Sequence, residues 1–511
     1  LSDEQNGFRE ARSCEDHIYV MDTLINTKIS QNQSIFACFV DFSKAFDMIN
    51  RDQLLLQILN NNIDGNFYWS LKSLYSSTSA CIKLNNEYTN FFNIQNGVRQ
   101  GDPLSPTLFS LYIDNLIKEL KSLNLGINVH NFILTVLAYA DDIVILSDSE
   151  EKLQLLLDTL TKWCTKWRLS INNAKSAVVH FRKVRSPRTN FKFNLAGEDV
   201  ELVSEYKYLG VVLDEHLTYK SATKILANAG GRALGGIISK FKSFKDIGYD
   251  TYTKLFDNCV APILEYGSGV WAPSKKFPEI DNIMLRACRY YLGVHRYAPI
   301  PSIMGDMGWV PNSVRRQVNS CRLWNRFIEM DDDRITKRMF LYDLSVNGKF
   351  TTFVNEICES INLDPQFEHR NILDLGYIKR RTFEDYISDW KLDVMSKPKL
   401  RTYQQFKSNF AVESFVRSFL PKQKRSLVAQ LRMCILPLRI ETGRFVQEPL
   451  EERICKLCNL NAIEDENHFL LHCPCYNNIR YKYLDKISGQ NFNNLDDIMK
   501  QKILYEQHPF I

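Results

Sequence analysis

Two groups of residues in this chain are of the types and spacing that do chemistry. Asp41 ends an apolar run, Ile35 to Val40, and Asp141-Asp142 separates two more, Thr135 to Ala140 and Ile143 to Leu146. Brought together, these carboxylates would offer the hard oxygen donors that hold Mg²⁺ beside substrate phosphates, an arrangement suited to phosphoryl transfer. Alone, an Asp-Asp pair far more often marks a turn, because Asp hydrogen-bonds its own backbone. Towards the other end, Cys455, Cys458, His468 and Cys473 read C-x2-C-x9-H-x4-C, a spacing at which thiolates and an imidazole can enclose one zinc ion. His472 and Cys475 are rival ligands, so spacing leaves the choice open.

The elements that must position these groups follow from the apolar pattern. The run 35–40 is rich in strand formers and too short for a free-standing helix, which predicts a buried strand ending at Asp41. The two runs around Asp141-Asp142 predict a hairpin with both carboxylates at its tip. Leu153, Leu156, Leu157, Leu160, Trp163, Cys164 and Trp167 fall at helical spacing and predict a helix packed on the sheet. Ser186-Pro187 marks a turn, and Tyr206 to Leu213 a further hairpin or strand. From Lys220 to about Glu329 the pattern is mainly helical, with a Gly-rich break expected at Gly230-Gly231 and Gly235-Gly236.

Composition narrows the class. With 511 residues, 45% apolar and 24% charged, the chain can fill about three or four globular domains and is not disordered. No stretch reaches the roughly 18 apolar residues that cross a bilayer, and no signal peptide opens the chain. Isolated cysteines in apolar segments, Cys14, Cys38, Cys81 and Cys164, read as reduced core residues of an intracellular protein. The net charge of +5 is uninformative, but its distribution is not: residues 399–445 hold ten Lys and Arg against Glu413 and Glu441. By itself that segment is as well explained by a solvated face as by a phosphate-binding one.

Several strings in one order resolve the ambiguity of the carboxylates. FVDFSKAFD at 39–47, NGVRQGDPLSP at 96–106 and YADD at 139–142 resemble motifs A, B and C of reverse transcriptases, most nearly those of non-LTR (LINE-type) retrotransposons. QNGFREARS at 5–13 is similar to the end of the fingers, LSINNAKS at 169–176 to motif D, and YKYLGVVL at 206–213 to the primer grip. The resemblance is dense over 1–215 and resumes at 399–480. There KLRTYQQFK, LRIETGRF and EDENHFLLHCPCY are similar to the CCHC region that follows the polymerase in many such elements.

This resemblance implies an α+β right-hand polymerase, with partial fingers and an antiparallel palm sheet with packed helices at 1–215. A helical thumb-like region at 216–335, a helical connector at 336–447 and a zinc knuckle with tail at 448–511 would follow. Asp41, Asp141 and Asp142 would hold two Mg²⁺ ions, or Mn²⁺ in their place, for nucleotidyl transfer from a dNTP to a primer 3′-hydroxyl. Lys175 would be the general acid for pyrophosphate, or only an exposed lysine. Phe46 would close the pocket against a 2′-hydroxyl, and Gln100 and Gly101 would meet the template or incoming base. Arg9 and Arg12 would approach template phosphates or the triphosphate. Asp47 would be structural, through capping or a local hydrogen bond.

One structural zinc would take Cys455, Cys458, His468 and Cys473. The basic segment 399–445 becomes an RNA- or DNA-binding surface, with Tyr403 and Phe406 stacking on bases or lying in the core. The implied partners are an RNA template, a DNA primer or target and dNTPs, without a membrane; the implied site of action is the nucleus. Because residue 1 is Leu and patterned sequence begins at Gln5, the chain is expected to start inside a domain. The competing readings are an inactive remnant that only binds nucleic acid, an RNA-dependent RNA polymerase, disfavoured by Phe46 and YADD, and a group II intron maturase, disfavoured by the CCHC pattern.

Overall fold

A capping box opens the first long helix: the Ser13 N–H donates to Asp16 Oδ2 at 3.0 Å, and α1 (Cys14–Ser30) follows. In the computed structural model residues 1–243, 246–274, 277–363, 372–483, 495–502 and 504 are described. The parts of the expected connector at 364–371 and of the tail at 484–494, 503 and 505–511 lie outside them.

Strand β1 (Ile35–Val40) is buried along its whole length. Helix α2 (Ser105–Ser122) precedes the hairpin of β2 (Val136–Tyr139) and β3 (Asp142–Ser147), and α3 (Glu150–Trp167) leads to β4 (Ala177–Phe181) and β5 (Glu201–Val203). The sheet order is β5-β4-β1-β3-β2, antiparallel except for the β4–β5 pair at one edge. Side-chain alternation along β1 decides the layers. Phe36, Cys38 and Val40 face the cluster built with α2 and α3, while Ile35, Ala37 and Phe39 face the cluster built with α1 and the helical half of the chain. With both faces covered, the central strand has no polar position.

The hairpin β6 (Glu205–Tyr208) and β7 (Val211–Asp214) carries the chain into α4 (Lys220–Ser243). The expected break at the glycines is not there: α4 runs through all of them. At Gly230 an added Cβ would meet Leu264 Cδ2 at 2.5 Å, so close packing against the neighbouring helix, not a turn, is what uses that glycine. Beyond it lie α5 (Asn312–Ile328) and α6 (Ile335–Ser345). The apolar cluster containing α1 continues past residues 216 and 335 as far as Ile435.

Three cations of the segment 399–445, Lys407, Arg425 and Arg432, are turned inward. Arg432 is fully buried between Asp306 and Glu413, and buried Arg425 donates to Tyr291 O at 2.8 Å and to Asp246 at 3.1 Å. Lys407 pairs with Glu413, Arg439 with Glu448, and Lys399, Arg401 and Arg444 gather around Glu441. These cations are matched by acids, several of them from outside the segment, and the buried pairing of Lys407, Arg425 and Arg432 removes those three from solution phosphates. Tyr403 and Phe406 are core residues; the Tyr403 hydroxyl bonds to Asp306 Oδ1 at 3.0 Å. Arg417, Lys424 and Arg444 keep exposed heads.

Candidate active site and metal centre

Register brings the three carboxylates to one end of the sheet. Val40 pairs with Ile143 and Tyr139 with Asp142, so Asp41 leaves β1 beside the turn that carries Asp141 and Asp142. Partial burial pushes the Asp141 carboxyl above the ordinary range, and the charge of Asp41 adds to it; Asp142 is raised by the same desolvation and then by Asp141 and Asp41. Together with Asp41 they offer only oxygen donors. Three carboxylates placed at one end of the sheet by strand register are a donor set that suits a hard divalent cation. Lys175 Nζ lies 3.9 Å from Asp41 Oδ2, with its side chain mostly exposed.

Neighbouring groups fix Asp41 by its backbone. Its N–H donates to Ser176 Oγ at 3.1 Å, and its carbonyl accepts from the Asn172 N–H at 2.8 Å, tying the 169–176 loop to the end of β1. Tyr206 on β6 stacks on Phe39 with ring centroids 4.4 Å apart and donates to Lys175 O at 3.2 Å. Burial, then the charges of Asp142 and Asp41, push the Tyr206 phenol up to about 12, which places it in the field of the carboxylates and keeps it protonated at neutral pH.

On the other side of Asp41, Phe46 is half-buried in a short helix, Ala45–Met48, and lies against Phe109 of α2. Asp47 in that helix does not cap it; Lys44, with φ +49°, holds the cap position, and Asp47 Oδ1 instead accepts from Gln100 Nε2 at 3.2 Å. Gly97 has φ +82° and backs onto the Asp47 backbone, where a Cβ would come within 2.6 Å of the carbonyl oxygen. Gly101 also has φ +82°, with open space where a Cβ would lie. Arg51 secures this loop through Gly97 O, Ile94 O and Tyr75 O at 2.7–3.1 Å.

Arg9 and Arg12 are occupied otherwise than expected. Arg9 donates to Ser2 O and Gln5 O, and Arg12 to Asp3 and to Asn6 Oδ1, so both guanidiniums shape their own loop. Gln5, which sequence reasoning passed over, is fully buried against the Asp141 turn. Its Oε1 accepts from both Gly7 N–H and Ala140 N–H at 2.8 Å. An Asn-Gly turn was visible in the sequence at residues 6 and 7, but no local signal connects it with a turn 135 residues away.

At the other end of the chain, the ligand atoms of Cys455, Cys458, His468 and Cys473 all lie within 4.8 Å of one another. A three-thiolate, one-imidazole set at such separations fits tetrahedral zinc, and the cluster can hold a metal ion. His472 instead pairs with Asp497 at 2.8 Å, and Cys475 donates to Leu457 O, so neither rival joins the cluster. Buried Glu466, two residues before His468, takes Arg401 at 2.9 and 3.1 Å, which locks the cluster to the 399–445 segment. Among the described residues no helix is long and apolar enough to cross a membrane.

Residues 1–213 match the family model described as reverse transcriptase (RNA-dependent DNA polymerase). Over 311 residues the chain is 26% identical to the probable RNA-directed DNA polymerase from transposon BS of Drosophila melanogaster, covering 57% of this chain and 33% of that protein. It is 26% identical over 214 residues to the Pol polyprotein of the type-2 retrotransposable element R2DM of the same organism, covering 40% of this chain and 20% of the other. The chain thus spans a third or less of the length of these relatives. Apo telomerase from Candida tropicalis superposes on 64% of this chain and 56% of its own with a TM-score of 0.32 and 12% identity. Residues 1–213 are thus similar to the reverse transcriptase family, and the chain is similar to the RNA-directed DNA polymerases and Pol polyproteins of these mobile elements.

Proposed function

We propose that this chain extends a primer 3′-hydroxyl with dNTPs on an RNA template, as the polymerase of a non-LTR element, probing RNA and target DNA in the nucleus. The observation that carries the reading is the convergence of Asp41, Asp141 and Asp142 within the residues that match the reverse transcriptase family. Two Mg²⁺ ions bound there would activate the primer hydroxyl and offset charge developing on pyrophosphate. The chain's own residues do the rest. Phe46 limits space beside the sugar 2′-carbon, Gly101 and Gln100 border the base, and Lys175 stands where a proton can be given to the leaving group.

Helix α4 carries Lys220, Lys224, Arg232, Lys240 and Lys242 and no acidic residue. Lys220, Lys224, Asn228, Arg232, Gly236 and Lys240 form one exposed stripe at four-residue spacing, a charge pattern that complements a phosphate backbone. The Cys455–Cys473 cluster would hold a structural zinc, and the exposed cations of 399–445 with this knuckle would grip RNA or DNA. Asp141→Asn tests the central claim: turnover on a primed RNA template should fall by roughly three orders of magnitude or more, with template affinity nearly unchanged. Equal turnover in variant and parent would refute it.

A further inference from the structure

The helices beyond the reverse transcriptase match are bonded to the segment that grips the Asp141 turn. Asp16, fully buried at the start of α1, receives Arg326 of α5 and Arg334, the residue before α6, the latter at 2.9 Å. Arg334 Nη1 also donates to Ala11 O at 2.9 Å, and the Ile335 N–H donates to Asp3 Oδ2 at 2.5 Å. Asp3 in turn pairs with Arg12, whose guanidinium holds Asn6. From the other side, the same segment is held to α2 by the Ser2 N–H on Asp114 and by Lys121 on Glu4. Residues 2–12 therefore form a strap fastened at both ends.

The middle of that strap is the part that touches the site. The Asn6 N–H donates to Ala138 O and the Ala138 N–H to Glu4 O, both at 2.9 Å, so the strap adds an edge to β2. Gly7 backs onto the Ala140 backbone, where a Cβ would meet the nitrogen at 2.3 Å, and Gln5 closes on Ala140 as described. Phe8, at φ +57°, sets its ring edge-on to Phe46 with centroids 6.4 Å apart. A shift of the strap would thus move the carboxylate turn and the wall of the sugar pocket together.

We propose that Arg334 is a positioning residue for the polymerase site, acting through the 2–12 strap, so that the helical region outside the matched domain is a working part of the catalytic machinery. The inference rests on the polymerase reading for its consequence but not for its mechanics. An Arg on a buried carboxylate and a carbonyl holds geometry that a neutral or shorter side chain does not reproduce. Small displacements at a reacting centre cost large factors in rate, about a hundredfold for 1 Å.

The test uses the full chain with Arg334→Gln and Arg334→Lys. In Arg334→Gln, hydrogen exchange at the Ala140 and Gly7 amides should accelerate by about tenfold or more, while β1, β3 and β4 amides keep the parental rate. Turnover on a primed RNA template should fall by about ten- to a hundredfold with unchanged template affinity, and the ratio of rNTP to dNTP incorporation should shift. Arg334→Lys should recover part of each effect. Unchanged Ala140 exchange, or exchange accelerated equally throughout the sheet, overturns the proposal, as does a loosened strap with parental turnover. A parent chain that makes no DNA would defeat the polymerase reading, while exchange at Ala140 would still decide whether Arg334 holds the turn.

Discussion

Phe46 lies face to face with Phe109 of α2, ring centroids 4.4 Å apart and planes inclined by 18°. Phe8 meets the same ring edge-on, so two aromatic neighbours restrict its orientation. Phe46→Val should raise the ratio of rNTP to dNTP incorporation by about tenfold or more, because the ring's removal opens space beside the 2′-carbon. Competition assays with mixed nucleotides measure it; an unchanged ratio would leave Phe46 as a packing residue alone.

The metal cluster makes a prediction about its neighbours as well as its members. Elemental analysis of the full chain should find one zinc per molecule in the parent, none in Cys458→Ser, and one in His472→Ala and Cys475→Ser, whose parent side chains bond elsewhere. Loss of zinc in either of the latter variants would redraw the ligand set.

Two glycines of α4 should respond to alanine with opposite signs. Gly235→Ala enters open space and should stabilise by about 0.5–1 kcal/mol through reduced unfolded-state entropy. Gly230→Ala drives a methyl into Leu264 and should destabilise by about 1–3 kcal/mol. Urea unfolding of both variants against the parent reads the difference, and effects of equal sign would contradict the packing described for Gly230.

Asp343 is buried and accepts the Thr351 N–H and hydroxyl on Oδ2 at 2.9 and 2.5 Å. Burial nonetheless pushes its carboxyl up to about 6. The folded state therefore holds this proton more tightly than the unfolded one, so the group adds no penalty below about pH 4 and its full penalty above about pH 6. Stability of the parent relative to Asp343→Asn should decline across that window by on the order of 2 kcal/mol. Denaturant unfolding at pH 4, 5 and 6.5 measures this, and parallel profiles would exclude the titration.

Local patterns along the chain reach furthest within 1–215. Strands β1, β2 and β3 and helix α3 were legible because apolar periodicity and local turn chemistry are short-range properties, readable at Ile35–Val40, at the hairpin around Asp141 and along Leu153–Trp167, whereas β4 and β5 were not read from it. The four metal-binding candidates at 455–473 were legible because thiolate and imidazole ligands need close spacing in a small module. Other features depend on contacts between distant segments. Four glycines at 230–236 read as a break, yet contact with Leu264 and cooperative helix bonding keep α4 whole. The ten cations of 399–445 read as a phosphate surface, yet Asp246, Asp306, Glu448 and Glu466 from elsewhere in the chain take four of them. Gln5 bonds to Ala140 and Arg334 to Asp16 across 135 and 318 residues, pairings that no local pattern encodes, because a buried donor or acceptor is satisfied by whatever the fold brings beside it.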